Sequence, residues 1–153
     1  MPETDDLMKT ADPREPALTE ERLAVLQSAR AFIGKIVSVE IDRPVGYVHR
    51  KETYSLTYPI NYGFVPGIFG GDGEELDVYL LGTESPVKNA KARVIAVAHR
   101  RNDVEDKLIA TTSERAYTVS ELYDAVRFQE QWYDTVIITN GSEGEPLCRI
   151  ISY

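Results

Sequence analysis

The segment YGFVPGIFGGDGEELDVYLLG, residues 62–82, places a group of carboxylates directly before an apolar strand. Four acidic side chains fall within six residues, and the run LDVYLLG (76–82) has the composition of a buried strand. Carboxylates this close repel one another unless a cation lies among them, and hard divalent cations prefer such oxygen ligands. The spacing of Asp72, Glu74 and Asp77 leaves two interpretations open, a metal site and a solvated acidic turn.

Most of the remaining chain is typical of short β-strands. KIVSVEID (35–42) alternates between apolar and polar residues, as a strand with one buried face does. Further strand patterns lie in ETYSLTYPINYGFV (52–65), ARVIAVAHR (92–100), KLIATT (107–112) and two short runs around an Asn140-Gly141 turn. Helical patterns occupy residues 18–33 and 118–134. Together they predict a mainly β (α+β) fold, a small and partly closed β-barrel with helices on its outside.

Length and composition predict one domain preceded by an arm. A chain of 153 residues is long enough to bury one hydrophobic core. Residues 1–17 contain three prolines and five acidic residues with little apolar content, so we expect a flexible N-terminal arm. Residues 18–153 are then a single domain, with an N-terminal helix at 18–33 and a barrel over 35–153.

Charge and cysteine content restrict the possible partners. A net charge of −8 and a pI near 4.8 argue against nucleic acid and anionic membranes, which select basic surfaces. No run is long and apolar enough to span a bilayer, and the acidic N-terminus is unlike a secretory signal. Because Cys148 is the only cysteine, we expect no internal disulfide and a reducing, cytoplasmic location. We also expect a homo-oligomer.

Other residues could meet the acidic cluster at one end of the barrel. A second acidic group, Asp103, Glu105 and Asp106, stands directly before Lys107 in a turn between two predicted strands, and Glu40 lies on the first strand. Acidic turns that converge in this way would hold more than one metal ion.

Tyrosines and cations near the cluster favour a phosphorylated ligand. Tyr58 and Tyr62 could donate hydrogen bonds to phosphate oxygens, although tyrosines are equally typical of barrel packing. Arg50 and Lys107 could supply fixed positive charge for a phosphate. An acidic site that faces an anionic substrate would need metal ions between the two.

The stretch YPINYGFVPG…GDGEELDV, residues 58–78, resembles the signature region of the family I soluble inorganic pyrophosphatases. The resemblance extends over about residues 35–138 and is strongest at 58–80, where a tyrosine-rich segment precedes an acidic motif that enters a strand. It implies an OB-like barrel that hydrolyses pyrophosphate to two phosphates. The implied cofactor is Mg²⁺, two or more ions, with Mn²⁺ as a possible substitute.

The resemblance also implies roles for single residues. It makes Asp72, Asp77 and Asp103 metal ligands, and Glu40 a ligand of a further metal or a group behind it. Within the DVEDK turn (103–107) the choice among the three acidic residues stays open, and Asp106 is a further candidate ligand.

The implied catalytic residues are fewer. Glu74 falls where the family has an aspartate that helps to deprotonate the attacking water, and Tyr62 would donate a hydrogen bond near that water or the metal site. Arg50 and Lys107 would hold phosphate oxygens.

The chain departs from the family on the phosphate side. Only nine residues separate Glu40 from Arg50, so a hairpin that carries a phosphate-binding lysine is expected to be missing, with His49 or Lys51 as partial substitutes. At the end of the long helix, Trp132 and Tyr133 replace a tyrosine and a lysine. Hydrolysis of another phosphoanhydride or a phosphate ester, and a non-catalytic homologue, therefore remain alternatives.

Overall fold

The predicted barrel is present, and it is closed. The computed structural model describes residues 28–70, 73–101 and 105–139. In chain order the elements are β1 (Ile36–Arg43), β2 (Val48–Arg50), β3 (Ser55–Thr57), β4 (Asn61–Phe69), β5 (Glu75–Leu81), β6 (Asn89–Arg100), β7 (Asp106–Thr111), α1 (Val119–Glu130) and β8 (Thr135–Ile138).

Five strands close the wall in the order β1-β4-β5-β7-β6, because β6 pairs with β1 as well as with β7. At 12 residues, β6 is long enough to pair with β1 through its first part and with β8 through its last part. β5 and β7 run parallel, whereas the other neighbours in the wall are antiparallel. This is the strand order of an OB-type barrel, so the predicted mainly β fold is confirmed.

The barrel wall is covered by apolar side chains on both faces. Val78 and Leu108 belong to the interior core, whereas their neighbours Tyr79 and Ile109 belong to an outer core beneath Leu122 of α1. Successive side chains of a strand point to opposite faces, so each strand contributes to both cores. β5, β7 and β8 are therefore almost wholly buried, and their sequences are apolar without clear alternation.

β1 and β4 approach so closely that only glycine fits at their crossing. A Cβ atom on Gly63 would lie 1.7 Å from the backbone oxygen of Glu40. Just beyond this point the pairing register shifts between Ile41 and Arg43, as at a β-bulge, and Arg43 comes to lie opposite Tyr62. The bulge thus brings an arginine to the face of the wall that α1 covers.

A capping box begins α1. The Thr118 hydroxyl accepts a hydrogen bond from the backbone N–H of Glu121, whose carboxylate accepts one from the backbone N–H of Thr118. The helix ends at Glu130, earlier than the predicted 118–134, and the chain turns there with Tyr133 N–H bonded to the Glu130 carbonyl. This turn brings residues 132 and 133 back toward the barrel.

Several sequence predictions concern residues outside the described part. Of the predicted helix at 18–33, residues 28–30 are helical and 31–34 form a turn. The arm at 1–17 and the turn at Asn140-Gly141 lie outside the described residues, so the domain division stays a prediction. No helix within the described segments is long and apolar enough to cross a membrane.

A hairpin that the sequence analysis did not predict joins β1 to β4. It consists of β2 and β3, with His49 opposite Leu56 and Arg50 opposite Ser55. The chain between Glu40 and Tyr58 therefore does contain a short hairpin, although its position differs from the one expected to be missing.

Candidate active site

A cavity of about 290 Å³ opens on the outer face of the barrel wall, between the β2–β3 hairpin and the C-terminal end of α1. Its lining includes four cationic side chains and two carboxylates, namely Arg43, Lys51, Arg100, Lys107, Asp77 and Glu105. Among the described residues that line the cavity, cationic side chains outnumber carboxylates, although Glu130 behind the cavity offsets the charge of Arg100.

Lys107, Asp77 and Tyr62 form a closed triangle of hydrogen bonds in this cavity. Lys107 Nζ donates to Asp77 Oδ2 and to the Tyr62 hydroxyl, each at 2.7 Å, and the Tyr62 hydroxyl donates to Asp77 Oδ2 at 2.8 Å. Burial, together with the negative charge of Asp77, raises the pKa of Tyr62 well above its ordinary value. Tyr62 is therefore a neutral donor at physiological pH.

Strand pairing explains why these three residues meet. β4 and β5 are antiparallel neighbours, which brings Tyr62 and Asp77 to the same face of the wall. β5 and β7 run parallel with Val78 beside Leu108, so the preceding residues Asp77 and Lys107 also lie side by side. Their apolar successors point into the interior core, because side chains alternate along a strand.

A buried ion pair lies behind the cavity. Glu130, at the end of α1, is fully buried and accepts two hydrogen bonds from Arg100, at 3.0 and 2.8 Å, and others from Thr135 and Tyr79. Burial alone would raise the pKa of Glu130, but Arg100 and the two hydroxyl donors lower it. The third nitrogen of Arg100, Nη1, donates to Glu105 at 2.8 Å, which ties this carboxylate to the cavity wall.

A second chain of hydrogen bonds fixes Arg43 at the hairpin side. Arg43 donates to the Tyr58 hydroxyl, which donates to the Gln129 side-chain carbonyl at 2.6 Å. Burial opposes the charge of Arg43, but the hydrogen bond to Tyr58 raises its pKa. Desolvation, followed by the charges of Arg43 and Lys51, lowers the pKa of His49, so this ring is neutral at pH 7.

Aromatic side chains from the hairpin and from the turn after α1 form one edge of the cavity. The rings of Tyr54 and Trp132 contact each other with centroids 5.5 Å apart and planes inclined at 35°, and we call this pair the aromatic rim. Both rings remain exposed to solvent, Tyr54 to 42% and Trp132 to 52%. Tyr133 also lines the cavity and is covered on one face by the Arg100 guanidinium, 3.6 Å from its ring centroid.

The structure brings together three of the residues that the sequence analysis selected, Tyr62, Asp77 and Lys107. Asp72 and Asp103 lie outside the described residues. Of the expected substitutes for a missing lysine, His49 and Lys51 both line the cavity.

Glu105, and not Asp106, faces the cavity from the second acidic group. Asp106 is buried on the opposite face of β7, where its carboxylate lies 2.9 Å from His99 Nδ1. Alternation along β7 explains the difference, since Glu105 and Lys107 are two residues apart and share a face. The prediction that Asp106 is a metal ligand is therefore not supported by its position.

Three other predicted residues are exposed and are not among those that line the cavity: Arg50, Glu40 and Glu74. Arg50 alternates with His49 on β2, so it points away when His49 points in. The arginines that line the cavity are instead Arg43 and Arg100. Glu40 lies on the outer face of β1, opposite Phe64, which in turn lies opposite Asp77.

Three functional residues were not predicted from the sequence: Arg43, Gln129 and Glu130. Gln129 and Glu130 belong to the segment FQEQ (128–131) at the C-terminal end of α1. Because the helix is amphipathic, contact between this end and the barrel could have been predicted. Arg43 carried no such signal, since its place depends on the bulge in β1.

The carboxylates of the cavity suit a hard cation, although the described residues contain no group of three His, Cys, Asp or Glu side chains that could hold a metal ion. Asp77 and Glu105 are each 30% exposed at the side chain. Both hydrogen bonds from described side chains to Asp77 end on Oδ2, which leaves Oδ1 available for a further ligand. Desolvation raises the pKa of Asp42 and the charge of Asp77 adds to the rise, so a third carboxylate is near.

The closed five-strand wall, with cations and carboxylates in one cavity on its outer face, places the protein in the class of OB-type β-barrels. A model of the inorganic pyrophosphatase family matches residues 33–137, which is more than half of the chain. The chain belongs to the inorganic pyrophosphatase family. The resemblance of residues 58–78 to that family is thereby confirmed.

Individual relatives agree with this assignment. An inorganic pyrophosphatase of Aquifex pyrophilus is 31% identical over 88 residues, 54% of this chain and 50% of that protein. Soluble inorganic pyrophosphatase 2 of Chlamydomonas reinhardtii is 37% identical over 87 residues, 53% of this chain and 45% of that protein. The chain thus spans about half the length of the curated relatives it matches. The crystal structure of the inorganic pyrophosphatase from Ehrlichia chaffeensis has the same fold, with a TM-score of 0.52 and 21% identity over 67% of this chain and 84% of that one.

Proposed function

We propose that this protein hydrolyses inorganic pyrophosphate to two phosphates with the help of divalent cations. The observation that carries the proposal is the cavity in which the carboxylates of Asp77 and Glu105 lie among Arg43, Lys51 and Lys107. Cationic side chains can hold phosphate oxygens, and carboxylates can hold metal ions that neutralise the same substrate. Membership of the inorganic pyrophosphatase family supports this reaction.

Oxygen donors of this kind fit Mg²⁺, with Mn²⁺ as a substitute. In this proposal Asp77 and Glu105 hold two or more ions together with Asp72 and Asp103. When bound, such ions neutralise charge on the phosphate oxygens and activate water for attack. The role of Glu40 as a metal ligand stays a prediction, and so does the role of Glu74 in deprotonating the attacking water. The exposed positions of these two residues give no further support to either role.

The side chains of this protein bind and orient the reactants. Lys107 and Arg43 donate hydrogen bonds to phosphate oxygens, and their charge offsets the negative charge of the substrate. Neutral Tyr62 donates to Asp77 and so fixes the direction in which this carboxylate presents its other oxygen. Arg100, clamped by Glu130, holds Glu105 in the same way.

Phosphate release from pyrophosphate tests the proposal directly. We expect turnover with added Mg²⁺ and none after treatment with a chelator, with recovery when Mg²⁺ is restored. Turnover of phosphate monoesters but not pyrophosphate would move the reaction to another substrate. Metal binding by calorimetry without turnover of any phosphate compound would indicate a non-catalytic homologue and refute the proposal.

An Arg43→Met variant is expected to raise the KM for pyrophosphate about tenfold, because a charge-assisted hydrogen bond to the substrate is lost. Steady-state kinetics with saturating Mg²⁺ measure the effect. Lys91→Met, at an exposed position of β6, removes a positive charge away from the cavity and should leave KM unchanged. If Arg50→Met changed KM more than Arg43→Met, the sequence-based assignment of Arg50 would be restored.

A cytoplasmic location and assembly into a homo-oligomer belong to the same proposal. The location rests on the single cysteine, Cys148. Light scattering of the purified protein would show whether it assembles.

A further inference from the structure

Binding of pyrophosphate alone does not account for the aromatic rim of Tyr54 and Trp132. Pyrophosphate has no apolar surface, yet two rings stand exposed at the edge of a cationic cavity. We propose that the same cavity binds nucleoside diphosphates or triphosphates, with the phosphates among the cations and the base stacked on the aromatic rim. This inference rests on the proposed function, because it extends the substrate class of that site.

The geometry of the rim decides where a base would lie. The centroids of Tyr54 and Trp132 are 5.5 Å apart, which leaves no space for a third ring between them. Their outer surfaces are open, since 52% of Trp132 and 42% of Tyr54 is exposed. A base therefore stacks on the exposed surface of the pair, as bases do on exposed aromatic side chains of other β-barrel proteins.

The rim is held in place from both sides. Tyr54 follows the tip of the β2–β3 hairpin, where its carbonyl accepts a hydrogen bond from the backbone N–H of Lys51. Trp132 lies in the turn after α1, between Glu130, which is clamped by Arg100, and Tyr133, which lies against the same guanidinium. The backbone at both rim residues is therefore fixed and the two rings contact each other, which lowers the entropy that stacking of a planar group would cost.

Charge supports the same occupant. Lys51, close to Tyr54 in the chain, lines the cavity together with Lys107 and Arg43, so phosphates held by these cations would leave the rest of a larger ligand beside the rim. A volume of about 290 Å³ is just below the range for pockets that hold drug-sized ligands, roughly 300–1,000 Å³, so the base would lie on the rim outside the cavity. A second protein or a nucleic acid strand is a poorer match, given the small cavity and the net charge of −8.

The reaction is the one already proposed, carried out on a substituted phosphoanhydride. The oxygen of water bonds to the terminal phosphorus, and the bond from that phosphorus to the bridging oxygen breaks. A nucleoside phosphate leaves with the electron pair, inorganic phosphate is formed, and one proton passes to solvent.

The test compares ADP with methyl diphosphate, which presents the same diphosphate monoester without a base. We expect the KM of the unaltered protein to be about tenfold lower for ADP. In Trp132→Ala the KM values for ADP and methyl diphosphate should become equal, whereas Trp132→Phe should largely preserve the difference. Phe69→Ala, at an exposed ring outside the cavity lining, should preserve the difference fully. If Trp132→Ala raised both KM values equally, the rim would serve only to hold the hairpin against α1, and the inference would be wrong.

A binding measurement separates this inference from the proposed function. Trp132 is the only tryptophan, and stacked bases quench indole emission, so ADP should quench the intrinsic fluorescence while methyl diphosphate should not. Quenching by ADP without hydrolysis of any phosphoanhydride would support the base site and refute the proposed function. Hydrolysis of pyrophosphate without quenching or turnover of ADP would support the proposed function and overturn the inference.

Discussion

An Asp77→Asn variant is expected to lose about a hundredfold or more in kcat for pyrophosphate hydrolysis. Asparagine has the same shape and can still accept hydrogen bonds from Lys107 and Tyr62, so the local geometry should persist. The negative charge, however, is gone, which weakens the affinity of the cavity for a divalent cation. The measurement is phosphate release at saturating Mg²⁺, followed by titration with Mg²⁺ to see whether higher metal concentrations restore activity.

The control for this experiment is Asp124→Asn, the same substitution at an exposed position of α1 outside the cavity lining. It should keep full activity. Thermal unfolding with and without Mg²⁺ adds a readout that does not depend on turnover, because a bound ion stabilises only the folded state. Mg²⁺ should raise the Tm of the unaltered protein and have little effect on that of Asp77→Asn. Equal kcat values in the unaltered protein and in Asp77→Asn would refute the role of Asp77.

A Glu130→Gln variant is expected to lose about 3–5 kcal/mol of unfolding free energy, because it removes the fully buried charge partner of Arg100 and leaves the buried guanidinium with only the partly exposed Glu105. Urea denaturation at pH 7 measures the loss. Asp134→Asn breaks the neighbouring pair with Arg101, which is far more exposed, and should cost less than about 1 kcal/mol. A similar loss in both variants would show that burial of the Glu130 pair has no special cost.

The same variant has an expected pH signature. The pKa of Glu130 is lowered in the folded protein, so near and below its ordinary value of 4.5 the unfolded chain binds a proton that the folded protein does not. The stabilisation by the charged form is therefore complete above pH 4.5 and is lost as the pH falls further. Unfolding free energies measured across this range should decline less steeply for Glu130→Gln than for the unaltered protein.

Single strands could be predicted from the sequence, because a local pattern of residues determines them. The pairing of strands that are distant in the sequence could not. The alternation of residues 35–42 and the apolar run 76–82 both became strands of the wall. Closure of the barrel was not predictable, because it depends on β6 pairing at once with β1 and β8. The strands β2 and β3 are three residues each, too short for a recognisable period.

The site divides in the same way. Asp77 and Lys107 were predictable because each adjoins an apolar strand in a recognisable motif. The alternation of side chains from Glu105 to Lys107, at the start of β7, distinguishes Glu105 from Asp106. The contact of Tyr58 with Gln129 joins residues 71 positions apart, and no local pattern indicates it.

The double pairing of β6 has a consequence for how activity disappears on heating. Arg100 ends the strand that closes the barrel, so the residues that orient Glu105 depend on the same cooperative transition that keeps the wall intact. We therefore expect the part of the cavity that Arg100 and Glu105 form to melt together with the barrel wall. Thermal inactivation and global denaturation should therefore coincide in a single step.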